Sequence, residues 1–298
     1  MYEDIKRNKL KTGVVVFTFL IIITLIIYYI CYIMDLGVIS IVIALIFSII
    51  STIATYYNCD KIVLASVNAR PANKEEDLQL TNILEGLMIT ADIPVKPKLY
   101  VIDSSQANAF ATGRNPENAI ICVTKGLLEK LDYYELEGVI AHELAHIKNY
   151  DIRLSAIISV MAGFVIMLAD FCTRRIYRRN TDRDSDSKAN GILLLIGAIC
   201  LILSPIISQM IQLAVSRRRE YLADATAISF TRNPNGLISA LIKLGGDDSE
   251  LNVASNSEAH MYIVTPFKNK NKKKKEESSL FSTHPSISER VEAIRKLQ

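Results

Sequence analysis

Histidine is scarce in this chain: four residues in 298, at positions 142, 146, 260 and 284. Cysteine is nearly as rare, five residues at 31, 59, 122, 172 and 200, with no C-x-x-C spacing. An odd, scattered set of that kind excludes a disulfide framework and reads as packed thiols in a reducing compartment. Charge is almost balanced, +3 from 34 basic and 31 acidic residues, which excludes a bulk polyanion partner such as nucleic acid. No internal repeat is visible. No cleavable signal peptide is expected either, because the first apolar block is too long for one and a second follows at once.

Apolar residues are what the chain has in excess. They make up 50% of it, and mean hydropathy is +0.24. That excludes a disordered chain and exceeds what an ordinary soluble enzyme of this size carries. The excess lies in runs without Asp, Glu, Lys or Arg: 12–34 (23 residues), 36–59 (24) and 189–216 (28). A fourth run, 154–169, has 16 residues and extends past Asp170 to Thr173. A spanning helix needs about 20 apolar residues, so three runs qualify and the fourth is either a span or a buried, partly inserted helix. Tyr28, Tyr29, Tyr32, Tyr56 and Tyr57 sit at block ends, as in an interfacial belt.

These runs divide the chain into an N-tail (1–12), a two-span membrane hairpin (13–57), a polar region (58–153), a second hairpin (154–215) with a charged loop at 173–190, and a C-terminal region (216–298). Near the block ends, thirteen basic residues lie on the side shared by the N-tail, 58–153 and 217–298, against six in 173–190. The larger count marks the cytoplasmic side, so the expectation is a multi-pass cell-membrane protein with its polar regions in the cytoplasm.

Region 58–153 reads as mixed α/β. Leu78, Leu80, Ile83, Leu84 and Leu87 have helical spacing, and 97–103 and 119–124 read as strands. Residues 107–112 lie between them, before a Gly113–Asn115–Pro116 turn. Asp132 with Glu135 opens a helix running to about Lys148. Beyond the last run, 217–230 continues as helix, Asn233–Pro234 starts another, and Ser286 with Glu289 opens a terminal one. The Lys-rich stretch 268–277 reads as a solvated loop, with contact to anionic lipid the lesser alternative.

Two of the four histidines fall in His142-Glu143-Leu144-Ala145-His146, an H-E-x-x-H pattern on the helix that Asp132 opens. Positions i and i+4 share one helix face, so two imidazoles there can hold one Zn²⁺. Glu143 lies a step round the cylinder, placed to act as general base without ligating. Such a site needs a third ligand, and no third His follows at short range. Glu220, in Ser216-Arg217-Arg218-Arg219-Glu220-Tyr221-Leu222-Ala223-Asp224, is the candidate. Asp224 is one turn on, where a carboxylate can fix the tautomer of a ligating His. Surface pairing of both acids with the three Arg reads the same spacing equally well.

Three stretches, 141–151 around HELAHIKNYD, 216–227 (SRRREYLADATA) and 283–294 (THPSISERVEAI), resemble the HtpX-like membrane zinc metalloproteases, gluzincin relatives of the CAAX prenyl proteases. The NAFATG stretch at 108–113 is similar to that family's segment ahead of its catalytic helix. The resemblance covers about 80–298 and the N-terminal hairpin, and departs in the charged loop 173–190 and the Lys-rich 268–277. It implies one Zn²⁺ per chain held by His142, His146 and Glu220, with Glu143 as base and Asp224 behind a ligand. It also implies His284 as donor to the tetrahedral oxyanion, against a capping role before the terminal helix. Arg290 either helps there or pairs with an acidic neighbour, His260 has no motif, and Asn149 and Asp151 close the catalytic helix or support the ligands.

The fold expected is thus a multi-span α-helical membrane protein with a zincin-like α+β metalloprotease domain, a small sheet whose edge strand packs on the H-E-x-x-H helix. Substrate is expected to add as a strand at Asn108, Ala109 and Phe110, unless those residues simply pack under the helix. The function expected is endopeptidase quality control of misfolded membrane-protein segments in the bilayer. Its rivals are a prenyl-peptide protease and a non-catalytic membrane scaffold. The sequence leaves oligomeric state open.

Overall fold

The computed structural model describes residues 2–33, 37, 39–179, 197, 216–247, 249, 257–266 and 285–297. His284, the stretch 268–277, most of the run 189–216 and residues 180–190 of the charged loop lie outside them.

Two long helices open the chain, α1 (Tyr2–Ile33) and α2 (Ile39–Ser66). Gly37 sits in the turn between them at φ 57°, a left-handed conformation that costs glycine nothing. Within them, Asn8–Tyr28 (21 residues) and Ile39–Ser66 (28 residues) are long and apolar enough to cross a membrane. On α2, Ser40, Ala44 and Ser48 are small, buried and one turn apart. Small residues let helices approach closely in lipid, and Thr24 Oγ1 of α1 meets Ser48 Oγ at 2.7 Å. The outer faces leave Phe17, Leu25, Phe47 and Ile50 exposed, a surface that suits acyl chains and not water.

A four-stranded sheet follows, built from β1 (Arg70–Pro71), β2 (Lys98–Ile102), β3 (Ala109–Gly113) and β4 (Ala119–Thr124) in the order β1-β2-β4-β3. β2 and β4 are parallel; the other two pairings are antiparallel. The stretch 107–112 therefore does contain an edge strand, and the β3–β4 turn depends on Gly113. Gly113 has φ 139°, and a Cβ there would lie 2.4 Å from the Asn118 carbonyl oxygen. β1 had no sequence signal: it is two residues long and one is proline, which an edge alone tolerates.

α3 (Lys74–Ala91) starts in a capping box between Asn73 and Glu76. Leu80, Ile83, Leu84 and Leu87 are buried as their spacing predicts, but Leu78 is exposed because it falls outside the stripe they form. After α4 (Lys125–Lys130) comes the central helix α5 (Tyr133–Lys148), opened by the Asp132–Glu135 box and buried throughout from Gly138 to Ala145. It packs on α7 (Arg217–Thr231), α8 (Pro234–Gly245), α3 and β3. The α5–α8 contact is close: a Cβ on Gly138 would lie 2.8 Å from the Leu237 backbone nitrogen. α9 (Ile287–Arg295), with its Ser286–Glu289 box, covers α7 and α8.

One helix is longer than its apolar run, and one expectation changes. The run from 154 belongs to α6 (Asp151–Arg179), whose Leu154, Ile157, Ile158 and Met161 are buried against Val15, Phe19 and Ile23 of α1. Its first turns are thus a third helix packed on the N-terminal pair. The helix at 217–230 does not run on through Ser216: that residue is extended (φ −125°, ψ 124°) and its carbonyl accepts from the Arg219 and Glu220 amides, so α7 starts afresh there.

Candidate active site

α5 carries His142, Glu143 and His146, with the two imidazoles one turn apart. α7 crosses beside it and brings Glu220 and, one turn later, Asp224. The Nε2 atoms of His142 and His146 are 3.2 Å apart, and each lies 3.6 Å from a carboxylate oxygen of Glu220. These three residues form a group able to hold a metal ion. A tetrahedral site with ligand bonds of about 2.0–2.1 Å has donor–donor separations of about 3.3–3.4 Å, close to the separation of the two Nε2 atoms, while the Glu220 carboxylate turns one oxygen to each imidazole.

Both ring orientations are set from behind. His142 Nδ1 is 2.9 Å from Asp224 Oδ1, and His146 Nδ1 is 3.0 Å from Asp151 Oδ2. When Nδ1 carries the hydrogen, each Nε2 turns its lone pair to the other. Two lone pairs at that separation repel unless a cation lies between them. The donor set therefore fits a divalent metal.

The charges agree. Burial and Arg290 both disfavour protonated His142, yet hydrogen bonds to Asp224 and Glu220 hold its pKa at about 9. A site whose carboxylates favour a proton there also favours a metal cation. Burial opposes ionisation of Asp224, but the Arg290 guanidinium holds its pKa below the usual carboxylate range. Arg290, 1% exposed, donates from Nε and Nη2 to the two Asp224 oxygens at 2.8 and 2.6 Å and from Nη1 to the Ile263 carbonyl at 3.1 Å. Of the two roles the sequence left for Arg290, this is pairing with an acidic neighbour, and the neighbour is the one that orients His142.

Glu143 is 2% exposed. Burial pushes its carboxyl pKa up, against the imidazoles of His142 and His146 and the backbone N–H of Ala111, which lower it. A carboxylate made more basic by burial suits proton abstraction near neutral pH. Beside it is a cavity of about 30 Å³ lined by Ala111, His142, Glu143, His146, Glu220 and the segment 260–263. That is room for about one or two water-sized particles.

Asn108, Ala109 and Phe110 are each 1% exposed, and their end of the edge is already paired. The Ala109 carbonyl accepts from the Ile263 amide at 3.0 Å; Asn108 Nδ2 donates to the Val264 carbonyl and its Oδ1 accepts from the Val264 amide. Phe110 stacks edge-to-face on Tyr262, 5.0 Å between centroids. Strand alternation turns Ala111 to the same open side as Ala109, and Ala111 is the β3 residue that lines the cavity.

His260, read from sequence as ordinary, is 4% exposed and lines the same cavity. Only folding brings the 260–263 segment there, so no local pattern reveals it. Asp151 had a weak signal, an acid five residues past the second motif His. It is the Nδ1 partner of His146 and also accepts from Arg219 Nη1 at 3.3 Å.

The model for peptidase family M48 matches residues 74–298. The chain belongs to peptidase family M48. Relatives named Protease HtpX homolog are similar over full length. That of Dictyoglomus thermophilum is 42% identical, covering 99% of this chain and 94% of its own. That of Thermoanaerobacter pseudethanolicus is 42% identical, covering 100% and 98%. That of Listeria monocytogenes is 37% identical, covering 100% of each. Among solved structures, Ste24p of S. mikatae matches with TM-score 0.50 and 21% identity over 90% of this chain; the match spans 62% of that protein's length, and it shares the fold. This M48 chain is thus a membrane metallopeptidase of the HtpX type, a hydrolase that acts on polypeptides.

Proposed function

We propose that the chain is a zinc endopeptidase with one Zn²⁺ held by His142, His146 and Glu220. The observation that carries this reading is the donor cluster, two Nε2 atoms 3.2 Å apart and each 3.6 Å from one of the two Glu220 oxygens, with both imidazoles anchored at Nδ1 by carboxylates. Two nitrogens and one carboxylate oxygen are a donor set that zinc accepts, with a position left open for reaction. When bound, zinc would supply Lewis acidity to the scissile carbonyl and lower the pKa of water.

The chain's own residues do the rest. Glu143 takes a proton from the attacking water at a carboxylate oxygen and returns it to the leaving amine nitrogen. Arg290 holds Asp224, and Asp224 holds His142 Nδ1, so the ligand cannot turn. Substrate pairs as a strand with the outward carbonyl of Ala111, whose N–H is held by Glu143, next to the segment 263–264 that continues the edge from Asn108 and Ala109. His284, just before α9, donates to the oxyanion.

The proposed setting is a multi-pass arrangement in the cell membrane, the catalytic parts cytoplasmic, acting on misfolded membrane proteins. The basic-residue asymmetry and the apolar outer faces of α1 and α2 support it. Purified protein should carry about one zinc per chain and cleave a disordered protein such as casein. Cleavage of a prenylated peptide with casein left intact would favour the prenyl-peptide alternative. In intact cells, a Cys placed at Asn180 should label from outside and one at Asn271 should not; the reverse pattern would invert the topology.

A further inference from the structure

We propose that the N-terminal helix completes the metal site, with Asn8 as a positioning residue for His146; this rests on the metal-site reading above. Asn8 lies in the part of α1 that precedes most of its apolar stretch, outside the residues matched by the M48 model. It is 2% exposed. Its Nδ2 donates to Asp151 Oδ1 at 2.6 Å and to the Asn149 carbonyl at 3.2 Å. The second Asp151 oxygen, Oδ2, faces His146 Nδ1 at 3.0 Å. The path from α1 to the imidazole is therefore two hydrogen bonds through one carboxylate.

Three features make this a built arrangement. α5 ends at Lys148 with Asn149 as its cap, and Tyr150 adopts a left-handed φ of 60°, an unfavourable conformation for a bulky side chain. That turn starts α6 at Asp151 and brings its carboxylate back to the helix it has just left. The Tyr150 ring is then held beneath Lys9 Nζ, 4.4 Å from the ring centroid, so the residue after Asn8 fixes the same turn. Finally, Thr12 Oγ1 donates to the Asn8 carbonyl at 2.9 Å, tying the contact to the next turn of α1.

The consequence is chemical. Asp151 Oδ1 receives Asn8 and Arg219 together, which leaves Oδ2 aimed at the imidazole. Without Asn8 the carboxylate keeps only the longer Arg219 bond at Oδ1, 3.3 Å against 2.6 Å, and its hold on His146 Nδ1 weakens. Docking of a membrane helix is in this way a condition for metal affinity.

The test uses the full chain in detergent, with zinc affinity measured by competition against a chromophoric chelator. Asn8→Ala should weaken zinc binding on the order of tenfold, the lower end of what removing such outer partners does. Asp151→Ala should weaken it at least as much, and Asn8→Ala added to Asp151→Ala should change it by less than about twofold, because the two act as one path. Asn58→Ala on α2, a half-buried residue whose side chain bonds its own helix, should change nothing. Wild-type affinity in Asn8→Ala, or the same loss in both backgrounds, would overturn the proposal. His146→Ala separates the readings: if it retains wild-type zinc affinity the metal site itself is misassigned, and if it loses zinc while Asn8→Ala does not, only the role of Asn8 fails.

Discussion

Asp224 stands between Arg290 and His142, with Oδ1 2.6 Å from the guanidinium Nη2 and 2.9 Å from the imidazole Nδ1. One carboxylate oxygen thus receives both a permanent cation and a hydrogen whose position decides where the imidazole lone pair points. The three residues come from α5, α7 and α9, so the ligand's orientation is a product of helix packing.

Asp224→Asn should keep the fold and weaken zinc binding about 10–100-fold, measured by chelator competition. Arg290→Ala should do more damage, because it leaves Asp224 buried without its cation. A loss of about 3–5 kcal/mol in unfolding free energy is expected, measured by denaturant titration. A variant as stable as wild type would show that Arg290 is not the charge that compensates Asp224.

How much of this was legible in the sequence follows from how local each signal is. The α5 start at Asp132, the α9 start at Ser286 and the strands 98–102 and 119–124 are written in adjacent residues, and the sequence reading places them within a residue or two. The pairing of Glu220 with the H-E-x-x-H helix needed more, since spacing alone left it equal to surface pairing with Arg217–Arg219; the structure buries it at 6% exposure beside both imidazoles. Asn8 and His260 were not legible. The partners of Asn8 are 141 and 143 residues away, His260 reaches the cavity only through folding, and a lone polar residue carries no periodicity that announces a tertiary contact. The occupied end of β3 was hidden for the same reason, because nothing local in Tyr262-Ile263-Val264-Thr265 says which strand edge it joins.

Gly138 tests the packing that sets α5 against α8. Its missing Cβ would overlap the Leu237 backbone, which cannot rotate away as a side chain would. Gly138→Ala gains helix propensity in isolation, yet here it should destabilise by about 1–3 kcal/mol and lower activity, because α5 carries both histidines of the proposed metal site. A thermal unfolding midpoint equal to or above wild type would mean the two helices can separate freely.

Acid stability has a defined sign. Burial of Glu135 favours its neutral form, but hydrogen bonds from Lys243 Nζ (2.6 Å) and Ser239 (2.5 Å) lower its pKa on folding. Asp247 is also lowered: its burial is outweighed by the Ala107 amide, Lys130 and Ser249. Groups whose pKa falls on folding contribute fully above the unfolded carboxylate pKa of about 4, and lose that contribution as pH drops below it. Unfolding free energy should therefore fall as pH drops below about 5, and go on falling until the lowered folded pKa values are passed. Glu135→Gln should flatten the decline, and an unchanged slope in that variant would remove Glu135 as a cause.

The most direct measurement compares Glu143→Gln with Glu220→Gln, two near-isosteric changes at residues with different jobs. Zinc per chain by elemental analysis and cleavage of a disordered protein are read on both. Glu143→Gln should keep about one zinc per chain and lose proteolysis, with added zinc restoring nothing, since an amide cannot take the proton. Glu220→Gln should lose zinc affinity markedly and activity with it, part of which returns in excess zinc. Wild-type zinc content and activity in Glu220→Gln would contradict the account, because the third ligand would then lie elsewhere.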